Sequence, residues 1–313
     1  MRPQILGKPW VRSYKQMASD LRLIQEWCAS LGIDISPTRI KAYVQTIADL
    51  GRIGLRPGAN LNQVLPTLFE VRELFEIWEG FKDHPPCKIL VDKMSLVVGG
   101  TTNLREELSA KSKNVARNTA FELACAGDAR RRGLDVTLRS DVDFAFLFEG
   151  RPIYVECKRI FSLPMAPKRV TEGFKQLNRV ADNSSPNTML MLDFSRALNP
   201  DFFIPSFDTH LDVAHFGRKL LYDAFAWLKP IWSREAHKRH LGLSARCSTL
   251  AFIRSTLDLF RTDEWATLTF ERPAGTLDTY AEAVFARLMH PQAFKEESKL
   301  KPSCGNDGSD FVN

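Results

Sequence analysis

The sequence predicts an α/β protein: a mixed central sheet flanked by helices, preceded by an N-terminal helical domain. Three observations carry that expectation. In the first hundred residues the apolar side chains recur at three- and four-residue steps, the spacing of helices buried on one face. Short alternating or continuous apolar runs then enter between residues 136 and 194, separated by helix-like stretches. The 313 residues, 44% hydrophobic and 26% charged, match an ordinary globular chain of one large or two smaller domains.

The helical prefix opens with Tyr14–Leu31, where Met17, Leu21, Ile24 and Cys28 share a face and Gly32 stops the run. Pro37–Leu50 repeats the pattern through Ile40, Tyr43, Ile47 and Leu50. Asn62–Lys82 carries Leu65, Leu68, Val71, Leu74, Phe75 and Trp78, and Asp83-His-Pro-Pro breaks it. A shorter helix covers Ile89–Val98. Apolar stripes of this kind are core, and no chemistry is assigned to them.

Asn114–Arg132 is the next helix, with Phe121, Cys125 and Ala129 on one face and Gly133 as its left-handed cap. The run Arg130–Arg132 suits the negative end of that helix's dipole. Val136–Leu138, Asp143–Phe148 and Pro152–Lys158 read as strands, the last two joined at a turn marked by Glu149-Gly150-Arg151. Pro164 and Pro167 interrupt, and Val170–Asp182 returns to helix. Asn187–Phe194 is nearly all apolar, as expected of a strand covered on both faces. A long helix, Val213–His240, is expected to bend or break at Pro230. Ser248–Ile253 and Ala266–Phe270 are late strands. The expected division is a helical domain over 1–100, a core with a C-terminal extension over 101–295, and a flexible polar tail over 296–313.

Composition narrows the function. No stretch approaches the roughly 18 uninterrupted apolar residues of a membrane span, and the opening residues lack the apolar centre of a signal peptide. A cytoplasmic protein with no membrane partner is expected. The six cysteines are scattered without a C-x-x-C pair, which disfavours a structural zinc site or a disulfide scaffold. The formal charge is +6, and most of the excess lies between residues 105 and 180, which fits a phosphate-bearing partner. No glycine-rich phosphate loop of the Walker type occurs, so triphosphate hydrolysis is not expected. His237 and His240 stand three apart on a helical pattern. That is a poor metal signal without a third ligand, and a solvated basic face is the expected role.

The informative segment runs from Asp143 to Arg159. If the strands pair around a two-residue turn at Gly150-Arg151, Asp143 lies opposite Lys158, with Glu156 one diagonal step away. Side chains alternate with period two, so all three point to one side of the sheet. Two carboxylates and an ammonium at the end of an apolar hairpin are costly to desolvate unless they bind something. A divalent cation is the economical answer, because Mg²⁺ takes one or two carboxylates plus waters and phosphate oxygens. An acid-x-Lys triplet alone is weak: Glu297-Ser-Lys299 is another, and it sits in the polar tail with no strand before it. Asp141 shares the parity of Asp143 and is the alternative ligand. Asp143 is preferred for its place opposite Lys158.

A helix bearing Glu122, a strand opened by Asp143 and a strand ending Glu156-Cys157-Lys158 together resemble the PD-(D/E)xK nuclease superfamily, which has the restriction-endonuclease-like fold. Arg117-Asn-Thr-Ala-Phe-Glu-Leu is similar to the first-helix signature of bacterial members, and Val155–Arg159 to their catalytic strand. The resemblance spans roughly residues 100–195, and Val142 stands where the family pattern has Pro. It implies a metal-dependent phosphodiester hydrolase, a nuclease acting as endonuclease or exonuclease on nucleic acid, with DNA as the expected substrate. Asp143, Glu156 and the Cys157 carbonyl would hold Mg²⁺, with Mn²⁺ as an alternative. Glu122 would bind the metal directly, through water, or at a second ion. Lys158 would orient the attacking water or neutralise charge on the phosphorane, and Gln176 would hydrogen-bond the water, Lys158 or a phosphate. Arg159, Lys168, Arg169, Lys175 and Arg179 would contact flanking phosphates. Bacterial defence and mobile-element systems use nucleases joined to helical parts, and the first hundred residues are read as a surface for a homodimer or a protein partner. The competing reading is a catalytically silent nuclease fold used for nucleic-acid binding or assembly.

Overall fold

The computed structural model describes residues 4–10, 13–36, 38–53, 61–100, 115–181, 187–201, 203–235, 240–255, 258–270 and 279–289. These fall into two units. One is helical and ends at Gly133; the other is built on a sheet and takes the N-terminal strand together with the described residues from Leu134 onward. The boundary therefore lies past the expected division near residue 100. The tail expected over 296–313, the Glu297-Ser-Lys299 triplet and His237 lie outside the described residues.

The helical unit holds α1 (Tyr14–Ser30), α2 (Arg39–Ile53), α3 (Leu61–Phe81), α4 (Lys88–Val98) and α5 (Val115–Arg131). Ser13 caps α1 in a reciprocal box with Gln16, which satisfies backbone N–H groups the first turn leaves open. Gly32 and Gly133 take φ values of 74° and 77° after α1 and α5, the left-handed conformation expected of a cap. Met17, Leu21, Ile24 and Cys28 are buried, as are Ile40, Tyr43, Ile47 and Leu50. Helices α3 and α5 cross very closely: a Cβ on Gly80 would stand 2.3 Å from the Gly127 Cα, and one on Gly127 would stand 2.5 Å from the Glu76 carbonyl oxygen. Only glycine fits at either place. Inside the unit Glu70 binds Arg39, accepts from Arg117 Nε at 2.6 Å and accepts from the Tyr43 hydroxyl at 2.7 Å. Burial would raise its pKa, but the two guanidiniums outweigh that and lower it.

Among the described residues the sheet unit contains eight strands. Seven follow the order β1-β8-β7-β5-β4-β3-β2, and β6 pairs with β7. They are β1 (Gln4–Trp10), β2 (Asp135–Leu138), β3 (Phe144–Phe148), β4 (Arg151–Arg159), β5 (Thr188–Asp193), β6 (Ser206–Phe207), β7 (His240–Ile253) and β8 (Asp258–Thr269). Strands β2, β3 and β4 form an antiparallel meander; β4, β5 and β7 run parallel; β7, β8 and β1 are antiparallel again. The helices are α6 (Ala166–Leu177), α7 (Ser195–Leu198), α8 (His210–Glu235) and α9 (Thr279–Met289). Residues of α6 and α8 form one apolar core with Leu190, Leu192, Leu243, Ala245, Ala266 and Leu268 of the sheet. Those two helices thus cover one face. The expected mixed sheet flanked by helices is present.

Several boundaries differ from expectation for readable reasons. Helix α6 starts at Ala166, because Pro167 sits in its first turn, where a missing N–H costs nothing. Helix α8 runs unbroken through Pro230 to Glu235, and the Trp232 indole donates to the Phe225 carbonyl at 3.2 Å. His240 opens β7 instead of closing that helix. Its ring is buried, with Nδ1 2.7 Å from the Thr188 hydroxyl and its face 4.9 Å from Phe174. Strands β7 and β8 are far longer than the apolar fragments read for them, because their polar residues find cross-strand partners.

Candidate functional site

The hairpin β3–β4 builds the site. Phe148 pairs with Arg151, so the turn residues are Glu149 and Gly150, with φ of 51° and 74°. Positive φ at both central positions is the type I′ geometry whose twist suits a two-residue hairpin. The turn therefore sits one residue earlier than the Gly150-Arg151 expected. The ladder pairs Phe144 with Val155, and its next step sets Asp143 across from Glu156, not from Lys158. The slip moves opposing positions by two, an even number, so the three ionisable groups keep one face.

At that end the Cys157 backbone N–H donates to Asp143 Oδ2 at 2.7 Å. Glu156 is 2% exposed, and its carboxylate is ion-paired with the Lys158 ammonium two residues on. Lys158 is largely buried too. Glu156 and Lys158 stand opposite Leu190 and Leu192 of β5, hence on the face covered by α6. Helix α6 approaches that face through Gly173: a Cβ there would lie 2.5 Å from Leu190 Cδ1 and 3.5 Å from Lys158 Cγ. The absent side chain leaves room for the lysine stem. Gln176, half-buried, is one helical turn beyond Gly173.

Asp141 and Asp143, left as alternatives by the sequence, have different surroundings. Asp141 is exposed and takes a two-point hydrogen bond from Arg139, 2.8 Å on each oxygen. That bond holds its carboxyl below the usual range. Asp143 is the one tied to β4, through the Cys157 N–H.

The cations expected to meet phosphates divide. Lys168, Lys175 and Arg179 are exposed on or just after α6, and Arg169 is half-buried. Arg169 lies 3.2 Å and Lys168 3.9 Å from Glu172. Arg159 corrects the expectation. It points to the face opposite Lys158, is buried, and donates to Asp193 Oδ2 at 3.0 Å. Asp193 also accepts from Arg246 at 2.9 Å and from the Ser195 N–H and hydroxyl at 3.0 and 2.5 Å. Burial would raise the Asp193 carboxyl, but Arg246 and Arg159 hold it well below the usual carboxylate range. A lone Arg after Lys158 in the sequence gives no sign of a partner 34 residues away.

Glu122 lies on α5 in the helical unit, where Lys93 Nζ is 2.9 Å from its Oε2. Arg131 and Arg132 of that helix's C-terminal end pair with Asp128, both at 2.8 Å. Among the described residues, Cys28, Cys87, Cys125, Cys157 and Cys247 form no disulfide, and burial pushes the Cys28 and Cys247 pKa values up to about 11 and about 12.

The donor set at the hairpin end is two carboxylates, Asp143 and Glu156, with the Cys157 carbonyl next to Glu156 in sequence. All are oxygen donors, the kind a hard divalent cation takes alongside water and phosphate. Among the described residues no group of three or more His, Cys, Asp or Glu side chains is placed to hold a metal. Further coordination would fall to carbonyl, water and phosphate oxygens. Compared with known protein families, curated proteins and solved structures, the chain matches none.

Proposed function

We propose that the sheet unit is a divalent-cation-dependent phosphodiester hydrolase acting on nucleic acid, with DNA as its substrate. The observation that supports the reading is that Glu156 and Lys158 share the sheet face covered by α6, while Asp143 accepts from the Cys157 N–H at the same end of the β3–β4 hairpin. A buried carboxylate and ammonium are expensive to keep unless geometry is excellent or function needs them. Here the pair sits beside a second carboxylate and next to a helix carrying exposed cations.

In this reading Asp143 and Glu156 hold Mg²⁺ or Mn²⁺ together with the Cys157 carbonyl. The chemistry such an ion supplies when bound is polarisation of the phosphate and a lowered pKa of bound water. With Glu156 engaged by a cation, Lys158 would present its ammonium to the charge that develops on the phosphate oxygens. Gln176 donates to the water or to a phosphate from one turn of α6 away. Lys168, Lys175 and Arg179 hold flanking phosphates, with Arg169 as a closer donor. Arg159 takes no part. The reading rests on residues of the sheet unit alone.

The test is cleavage of plasmid, linear duplex, single-stranded DNA and RNA with Mg²⁺, Mn²⁺ or EDTA. Asp143→Asn and Glu156→Gln keep shape while removing charge. Each is expected to lower metal-dependent cleavage by about 10²–10³-fold, the usual loss when one electrostatic stabiliser is removed. Lys158→Ala is expected to do the same, with some loss of stability because it strips the ammonium from a buried carboxylate. Cleavage that ignores all three substitutions defeats the proposal. Binding without cleavage under any metal favours a catalytically silent binding protein of the same fold.

A further inference from the structure

Phe203 is 69% exposed, yet its backbone is held on both sides by one side chain. Asn199 Nδ2 donates to the Phe203 carbonyl at 2.8 Å, and the Phe203 N–H donates to Asn199 Oδ1 at 2.8 Å. The clamp orders the residue without burying the ring. The ring itself stands in solvent on an ordered backbone.

The topology puts this ring at the end of the sheet where the hairpin site lies. Strand β7 gives one edge to β8 along Gly242–Ile253, so β5 and β6 must share its other edge. Strand β5 leaves that lane at Asp193, opposite Arg246, and β6 re-enters it at Ser206, opposite Phe252. The chain leaves that lane at the end of β4 where Lys158 and Arg159 stand and rejoins it six β7 residues farther on, about 20 Å beyond. The root of the excursion packs on the α6 face: Phe194 and Ala197 share a core cluster with Ile160, Ala166, Val170, Leu190 and Leu192. That is the face of Glu156 and Lys158. Its return is fixed by the Phe252 N–H, which donates to the Pro205 carbonyl at 2.9 Å. Phe203 is two residues before that anchor. At the start of α6 Met165 is also exposed, at 46%, ahead of the exposed Lys168.

We infer that Phe203, clamped by Asn199, is a stacking platform for an unpaired base of the nucleic acid, selecting a single-stranded or unstacked nucleotide beside the Glu156/Lys158 end of the hairpin. The inference rests on the nuclease reading and adds the strand state of the substrate to it. An aromatic face takes any base, whereas the cations of α6 take phosphate, so the two surfaces have complementary tasks on one strand. A base inside a blunt duplex offers no free face and gains nothing from the ring.

The test is equilibrium binding of the full chain, in EDTA so that no turnover occurs, to a single-stranded DNA of about 12 nucleotides, within the span such surfaces occupy. The strand carries one fluorescent aminopurine base, and a blunt duplex of the same sequence is the control. Phe203→Ala is expected to weaken single-strand binding about tenfold, the size of one lost base stack. It should leave duplex binding and the melting temperature unchanged and abolish quenching of the aminopurine. Phe203→Trp should restore both affinity and quenching. Single-strand affinity unmoved by Phe203→Ala overturns the inference even if cleavage is intact, whatever else the ring contacts. Loss of stacking in a protein that cuts nothing with any divalent ion upholds the platform and defeats the hydrolase. No nucleic-acid binding by the unaltered chain overturns both.

Discussion

Two ionic clusters sit one residue apart on β4 and face opposite ways. On one side Glu156 and Lys158 pair beneath α6, beside Asp143. On the other, Asp193 gathers Arg159, Arg246 and Ser195, and Ser195 in turn accepts from the Ser248 N–H at 2.9 Å. The second cluster has the form of a structural clamp: its buried carboxylate accepts from two buried guanidiniums and from the hydroxyl and backbone N–H of half-buried Ser195. In the first, the Glu156–Lys158 pair joins two neighbours on one strand, and Asp143 is tied in through the Cys157 N–H. Burial and charge are shared by both; what separates them is that the second sets two guanidiniums on one carboxylate.

The sharpest way to break that comparison is to remove one carboxylate from each side. Asp193→Ala leaves Arg159 and Arg246 buried without their shared anion and is expected to cost about 3–5 kcal/mol, read by denaturant unfolding. Per folded molecule, cleavage should persist. Glu156→Gln should do the reverse, losing turnover by about 10²-fold or more while costing little stability. Equal effects of the two substitutions on both measurements would erase the distinction.

Gly173→Ala tests the helix that covers the first cluster. The new methyl meets a Leu190 methyl at 2.5 Å and the Lys158 stem at 3.5 Å. A crowded core of this kind loses about 1–3 kcal/mol. The leucine can turn aside, since its contact is the end of a flexible side chain, but the lysine stem is then pressed from above. A fall in kcat with KM held is the expected split, because the displaced group acts on charge that develops after binding.

Acid separates the clusters more gently. The Asp193 carboxyl lies below its unfolded value, so its contribution to stability is complete above about pH 4 and is lost as pH falls through the folded value. Unfolding measured from pH 6 downward, within about two units of that threshold, should show a slope that Asp193→Asn flattens. A slope unchanged by the substitution would mean the clamp is not ionised as drawn.

Much of the fold was legible because it rests on periodicity and caps. Ile40, Tyr43, Ile47 and Leu50 are buried as their spacing implies, and Gly32 and Gly133 close their helices. The late strands were not legible. Arg261, Thr262, Asp263 and Glu264 lie outside the fragments read as strands, yet all four are buried. Arg261 donates to the Ser248 hydroxyl of β7 at 3.2 Å and Glu264 accepts from Arg218 of α8 at 2.9 Å, partners that only the tertiary fold brings together. At the candidate site the shared face of Asp143, Glu156 and Lys158 was legible, because parity survives a slip of two. The register was not, since Glu149 at positive φ is a conformation that residue type does not advertise. Arg159 was misassigned for the same reason as the late strands: its partner lies on another strand.

The smallest expected effect belongs to Asp141, and it decides which acid is the ligand. Asp141 and Asp143 are two residues apart, so alternation along an extended chain puts both on one side and cannot choose. Their partners choose. Asp141 is engaged by Arg139, whose guanidinium also lies over the Tyr154 ring at 5.3 Å, away from the strand end that Asp143 reaches through the Cys157 N–H. An ion pair with an exposed carboxylate is worth about 0.2–1 kcal/mol, so Asp141→Asn should barely move the unfolding midpoint. It should also leave the Mg²⁺ concentration dependence of cleavage where it was. Asp143→Asn should shift that dependence to higher metal, because one of two charged ligands is gone. The opposite pattern, with Asp141→Asn raising the metal requirement and Asp143→Asn leaving it alone, would transfer the ligand role to Asp141 and make the Cys157 hydrogen bond a structural tie.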